Sequence, residues 1–452
     1  MIKLPLPRNP VSLVGVLLAT LGAVLFLIFF LANAFGMHSN PYMGIVFFII
    51  LPSIFLIGLL LIPLGGWLRR RRIAAGKPDV WPRIDLNNPR HRNITAVVFG
   101  LTMINLAIVS MAAYAGIEVM DSTAFCGTVC HEVMQPEHEA FKAGSHARVG
   151  CVSCHIGAGA GWFVKSKLSG TRQVFAVAFN THERPIPSPV QNLRPARETC
   201  EQCHWPEKFH GDKVRVFREY GNDEKNAVTE TTLQMRIGGG QDANKPVTGI
   251  HWHTSAGTEI EYITTDAKRQ VIPWVRLKDR DGNVREYLAD GVNPNDLAKG
   301  ERRRMDCVDC HNRPGHPFSA SAEKAVDAAI ATGDIPITLP FIRREAVTAL
   351  KDKYPNQQAG TDAIAVKLRE FYRTQQPQVY MTRRPEVERA VTATLAVYSR
   401  NVFPTMNVTF GTYPNNVGHM DFPGCFRCHD DSHKSKDGRV ISQECDRCHG
   451  MQ

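Results

Sequence analysis

Three stretches of the chain stay apolar for longer than a bilayer is thick. Residues 11–35 carry no charge, residues 43–68 are interrupted only by Pro52 and Pro63, and residues 94–119 are broken by Asn105 and Glu118. A membrane-crossing helix needs about 20 such residues, so the pattern predicts three transmembrane helices at 11–35, 43–68 and 94–119. After residue 120 the period changes. Residues 214–220, 229–237, 248–254, 258–265 and 271–277 are short and rich in β-branched and aromatic side chains. They are separated by Gly238-Gly239-Gly240 and similar breaks, which predicts a small antiparallel sheet. Residues 320–331, 341–354, 361–374 and 384–400 return to a helical period, with Gly and Pro at the breaks.

Charge orients the predicted spans. The loop 69–93 holds Arg69, Arg70, Arg71, Arg72, Lys77, Arg83, Arg90 and Arg92 against Asp79 and Asp85, whereas the turn 36–42 holds no Lys or Arg. Basic loops stay cytoplasmic. The N-terminus and this loop are therefore expected inside, and everything after about residue 120 outside, in a bacterial periplasm. Ala32-Asn33-Ala34 resembles a signal-peptidase site, but the run before it exceeds a signal h-region, which favours an uncleaved anchor. The formal net charge of +10 is concentrated in the one loop, and nucleic acid is not an expected partner.

The chemistry lies in the cysteines. All twelve fall in six pairs, each followed by His: Cys126/Cys130/His131, Cys151/Cys154/His155, Cys200/Cys203/His204, Cys307/Cys310/His311, Cys425/Cys428/His429 and Cys445/Cys448/His449. The first has three residues between its cysteines and the others two. C-x-x-C-H attaches c-type haem: two thioethers reach two vinyl groups, and the adjacent His stands over the iron. Structural zinc, a thioredoxin-like pair and disulfides place no demand on the following residue. Six covalent haems c are expected, outside the cytoplasm.

Second iron ligands come from a limited supply. Of seventeen His, six belong to motifs, and His38 and His91 lie in the membrane part. His138, His146, His182, His210, His251, His253, His316, His419 and His433 remain. Mostly bis-His coordination is possible, giving low-potential carriers whose irons are closed to substrates. His251-Trp252-His253 falls on a predicted strand, whose period of two puts both imidazoles on one face.

A membrane helix, a haem motif, Ser145-His146 some fifteen residues on, then a second motif: this order resembles the NapC/NirT/NrfH family of membrane-anchored multihaem quinol dehydrogenases over roughly residues 95–210. The additional spans and long C-terminal part are similar to inner-membrane NapC/NirT-type cytochromes of metal-respiring bacteria. The resemblance implies oxidation of menaquinol or ubiquinol at the membrane-proximal haem, in anaerobic respiration. Two departures stand out. The first motif is one residue longer than the family's, and Met134 lies three places after His131, which leaves His131 or Met134 as the first iron's ligand. Protons released by quinol need acceptors. Glu132, Glu137, His138, Glu139, Lys165 and Lys167 are candidates, and residues 161–168 suit an interfacial helix.

The expected organisation is a membrane anchor (1–119), a haem region carrying motifs one to three (120–212), a β-rich insert (213–306), the fourth motif with a helical region (307–402) and a C-terminal dihaem segment (403–452). The fold class is a membrane-anchored multihaem cytochrome c, mostly helical and irregular outside the membrane. The expected function is quinol oxidation with electron relay to a periplasmic cytochrome or reductase. Two alternatives stand beside it: a terminal reductase with substrate at an open haem iron, and a non-catalytic relay or anchor subunit.

Overall fold

The computed structural model describes residues 9–34, 51–76, 85–129, 131–157, 160–190, 194–209, 211–238 and 249–451. It forms two compact units, residues 1–125 and 126–452.

The first unit contains helices α1 (Pro10–Ala34), α2 (Leu51–Ala74) and α3 (Pro89–Asp121). Of these, α2 and α3 are long and apolar enough to cross a membrane. In α1 the apolar stretch with described side chains is Val11–Leu27. The predicted span 43–68 begins outside the described residues. Helices α1 and α2 meet through small residues. A Cβ on Gly58 would lie 2.5 Å from the Ala19 nitrogen and 2.7 Å from the Gly15 carbonyl oxygen, so only glycine allows this approach. The Ser12 hydroxyl donates to the Ile62 carbonyl at 3.0 Å and the Asn9 amide to the Gly65 carbonyl at 2.6 Å. The basic loop is shorter than predicted. Arginine is a good helix former, so α2 runs on through Arg69–Arg72, while Arg90 and Arg92 lie in α3, capped by Asn88. Lys77 and Arg83 fall outside the described residues.

The second unit carries helices α4 (His131–Ala143) and α5 (Ala160–Ala178), two antiparallel sheets and a helical module. Strands β1 (Lys213–Tyr220) and β2 (Val228–Met235) pair in full register, from Lys213 opposite Met235 to Tyr220 opposite Val228. The second sheet contains β3 (Glu259–Thr264), β4 (Trp274–Lys278), β5 (Val284–Leu288) and β6 (Glu301–Arg304) in the order β6-β3-β4-β5. Alternation along β3 buries Ile260, Tyr262 and Thr264. The last fifty residues add a strand to each sheet: β7 (Lys434–Ser435) joins β5, and β8 (His449–Met451) joins β2. That segment is thus stitched to the insert by main-chain hydrogen bonds.

One predicted strand is not a strand. Residues Ile250–Thr254 form a 3-10 turn. Gly249 enters it at φ 78°, where a Cβ would lie 2.6 Å from the Arg236 carbonyl oxygen, and a β-run cannot pass such a corner.

The helical module packs α6 (Ala322–Ala331), α7 (Ile342–Lys351), α8 (Gln357–Gln375) and α9 (Arg384–Asn401) around a core that includes Val326, Leu339, Ile364, Leu368, Tyr372 and Tyr398. Ser321 and Asn356 cap α6 and α8 by accepting from Lys324 and Ala359.

Candidate functional site: paired imidazoles in a row

Short helical turns lie in or against each motif with described side chains. Cys151–His155 is an α-helical turn that spans the whole second motif. The helix Ala196–Cys200 ends on the first cysteine of the third and Cys307–Cys310 on the second cysteine of the fourth, whereas Gly424–Arg427 and Cys445–Arg447 are 3-10 turns that stop before Cys428 and Cys448. Positions i, i+3 and i+4 of a helical turn are neighbours on one side, so the turn of the second motif brings its two cysteines and its histidine together. Asp306 and Asp309 close a reciprocal capping box around the turn of Cys307. Asp309 is buried, and its carboxylate accepts from the Tyr262 hydroxyl at 2.5 Å.

All five of these motif histidines face a second imidazole. The ring centres are 6.0 Å apart for His155 and His316, 6.0 Å for His204 and His146, 6.4 Å for His311 and His251, 5.8 Å for His429 and His253, and 6.2 Å for His449 and His419. A metal–imidazole bond is about 2.0 Å. Two imidazoles on opposite sides of one iron therefore have centres roughly 6.3 Å apart, allowing ~1.1 Å from nitrogen to ring centre. The residues fit bis-His haem.

The ring nitrogens agree. The Nδ1 groups of His146, His251, His253 and His316 donate to the carbonyl oxygens of Pro314 (3.0 Å), Ile237 (3.2 Å), Ile250 (2.8 Å) and Glu137 (2.9 Å). On the motif side, His429 does the same to Ser442 at 2.9 Å. A carbonyl only accepts, so Nδ1 carries the proton and Nε2 is the bare nitrogen. Burial lowers the pKa of His253, and the neighbouring His429 adds to this; burial lowers that of His155, with His316 adding to it. A neutral imidazole is the form that binds a metal.

The second to sixth motifs follow one another in space as in sequence. Cys154 lies beside Cys200 and Cys203, Cys200 is within hydrogen-bonding reach of Cys307, Cys310 lies beside Cys425, and Cys425 beside Cys448. Asp306 accepts from the Ala196 amide at 2.9 Å, joining the third and fourth motifs. Arg427 donates to the Asp309 carbonyl at 2.7 Å, joining the fourth and fifth. A cavity of about 570 Å³ lined by Asp212, Arg236, Trp252, His253, His429, Arg447 and Cys448 falls within the size range of cofactor pockets.

Other candidates lie elsewhere. His433 is 1% exposed, with Nε2 bonded to the Ile272 carbonyl at 2.7 Å and Nδ1 to Asp430 at 2.8 Å, so neither nitrogen is left for a metal. Both ring nitrogens of His182 are buried and, among the described residues, without a hydrogen-bond partner. His138 packs on the first motif: a Cβ on Gly127 would come within 2.4 Å of its ring. Met134 is half-buried and Glu132 exposed; Glu139 pairs with Lys142 at 2.6 Å, and Lys165 lies 4.5 Å from the centre of the Trp162 ring. Lys167 is half-buried. Cys130, His210 and the side chain of His131 are outside the described residues. Glu137 is buried against Arg313, a partner 176 positions away that no sequence pattern indicated.

A model of the NapC/NirT cytochrome c family, N-terminal region, matches residues 88–185. Over 449 residues the chain is 43% identical to the cytochrome c-type protein ImcH of Geobacter sulfurreducens, covering 98% of this chain and 88% of that protein. No solved structure matches.

Proposed function

We propose, from the premise that this chain belongs to the NapC/NirT cytochrome c family, that it is a membrane-bound quinol dehydrogenase. It would carry six covalent haems c and pass electrons, in motif order, to a periplasmic cytochrome or reductase. Haem supplies one-electron chemistry at iron. The observation that carries the reading is the row of five imidazole pairs, each behind a Cys-Cys-His turn and each row member beside the next.

The chain's own residues give the row direction. Only six residues separate the predicted third span, 94–119, from Cys126, so the first motif begins at the membrane on the side opposite the basic loop. Helices α1, α2 and α3 are read as three spans, in the bacterial inner membrane. Cys126, Cys130 and His131, with Met134 alongside, would hold the first haem. His182 is proposed for its far side, because both of its ring nitrogens are buried; of the other two unassigned histidines, His138 packs on the motif itself and His210 lies outside the described residues. Val177 and Ile186, which flank His182, pack in the cluster of Val133, two residues after His131. Glu132, His138, Lys165 and Lys167 are the residues proposed to take quinol protons; Glu137 is committed to Arg313. Paired imidazoles leave five irons without an open position, which weighs against a terminal reductase acting at those haems.

The test is to mix purified protein with reduced menaquinol analogue and record the haem absorption bands. Reduction of the full haem complement is expected. Absence of reduction with all haems present would leave the relay-only subunit as the better reading.

A further inference from the structure

Among the described residues, the second imidazole with a carboxylate at Nδ1 is His316. Its Nδ1 lies 2.9 Å from the Glu137 carbonyl oxygen and 3.2 Å from Glu137 Oε2. The carboxylate is held in turn by Arg313, whose Nη2 donates to both oxygens at 3.1 and 2.9 Å. Side-chain exposure is 9% for Arg313 and 11% for Glu137, so water screens the pair little. Arg313 is fixed further by donation to the His316 carbonyl at 3.1 Å and by the face of Tyr413, 4.3 Å away. The same loop carries Pro314, whose carbonyl orients His146. Among the described residues, that nitrogen meets only neutral groups in three others: the Pro314 carbonyl and Ser145 hydroxyl at His146, and the carbonyls of Ile237 at His251 and Ile250 at His253.

We propose that Glu137 and Arg313 are positioning residues that set the reduction potential of the haem on Cys151 and Cys154, with opposite signs. A carboxylate at Nδ1 makes the imidazole a stronger donor. Its negative charge favours ferric over ferrous iron, so it lowers the potential of the step in which iron takes up one electron. Arg313 opposes this from one residue's distance farther away. The inference rests on the haem-relay reading, and on His316 being the ligand opposite His155.

The experiment is a spectroelectrochemical titration of the full-length haem-loaded protein, with E137Q, R313Q and, as a control, E139Q. Haem number by intact mass and pyridine haemochrome comes first: wild-type protein without haem would sink the relay reading itself. With haem present, E137Q is expected to raise one component by about tenfold in its reduced-to-oxidised ratio at fixed potential, about 59 mV for one electron. R313Q should lower the same component, and E139Q should leave it in place. Shifts of the same sign, or no shift, overturn the proposal. So does loss of the Cys151/Cys154 haem from both variants, because the pair would then be a folding requirement and not a tuning device.

Discussion

His251 and His253, two positions apart, turn to different motif histidines. The ring of His251 is centred 6.4 Å from that of His311, and the ring of His253 5.8 Å from that of His429. The 3-10 turn Ile250–Thr254 makes this possible, because successive residues on it are separated by about 120° and not by the 180° of a strand. One short turn thereby holds two neighbouring motifs at a fixed spacing.

Each substitution should therefore open a different haem. H251A is expected to convert the haem on Cys307/Cys310 to high spin, and H253A the haem on Cys425/Cys428. Each should leave haem number unchanged by mass. Low-temperature EPR counts the high-spin fraction. If the two variants open the same haem, the pairing is wrong.

The ring planes carry a second expectation. They lie at 8° for His251/His311 and 25° for His419/His449, but at 57°, 63° and 74° for His155/His316, His146/His204 and His253/His429. Near-parallel imidazoles split the iron d orbitals strongly and give rhombic low-spin EPR signals. Near-perpendicular ones give a single, highly anisotropic low-field feature. Oxidised protein should show both classes among these five haems, with the anisotropic class the larger. A spectrum of rhombic signals alone would contradict the assigned pairs.

What the sequence made legible follows from range. The Cys-Cys-His turns and the helices of the module are local, written in spacing and period. The number of spare histidines could be counted, but not their partners. His316 meets His155 and His419 meets His449 through contacts across the fold, and no local pattern encodes those. The strand expected at 248–254 failed for one residue: Gly249 turns the corner, and its φ cannot be read from an alternating neighbourhood. Glu137 was legible only as one of several candidate proton acceptors, because its salt bridge partner, Arg313, comes from the loop after the fourth motif.

Asn226 ties the β1–β2 hairpin to the helical module. It is fully buried at φ 51°, its amide donates to the carbonyls of Ile337 and Leu339 at 2.8 and 2.9 Å, and its oxygen accepts from the Arg343 amide at 3.0 Å. N226A would strand these groups in the interior, at about 1–3 kcal/mol for each unsatisfied group, and place alanine in the left-handed region. Chemical denaturation should show a loss of about 3 kcal/mol or more. A loss under about 0.5 kcal/mol, the usual range for surface substitutions, would mean the tie is not used.

Acid should weaken the second sheet through Glu261. Its carboxylate accepts from Arg302 at 2.6 Å and Arg276 at 2.8 Å, and the Arg302 bond above all holds it below the usual carboxylate range. A depressed acid pKa gives stability that is present above the unfolded value, about 4.3 for Glu, and is lost as pH falls through the folded value. E261Q should melt at a lower temperature than wild type at pH 7. The two should converge as pH falls below about 4. Parallel melting curves across that interval would remove Glu261 from the acid response.

The sixth motif tests the direction of the row. Cys445 and Cys448 sit on a 3-10 turn at the chain end, and the following strand β8 is held to β2 with Gly450 opposite Gln234. Replacing both cysteines by alanine leaves that pairing intact, since main-chain groups make it. The variant should keep five haems by mass and be reduced by a menaquinol analogue at the wild-type rate, because the proposed entry lies at Cys126. Delivery to a soluble acceptor should fall sharply if electrons leave from this end, Cys448 being the last station beside Cys425. Stopped-flow reoxidation separates the two phases. Slowed quinol reduction with unimpaired reoxidation would reverse the assigned polarity, and slowing of neither would place the exit at an earlier motif.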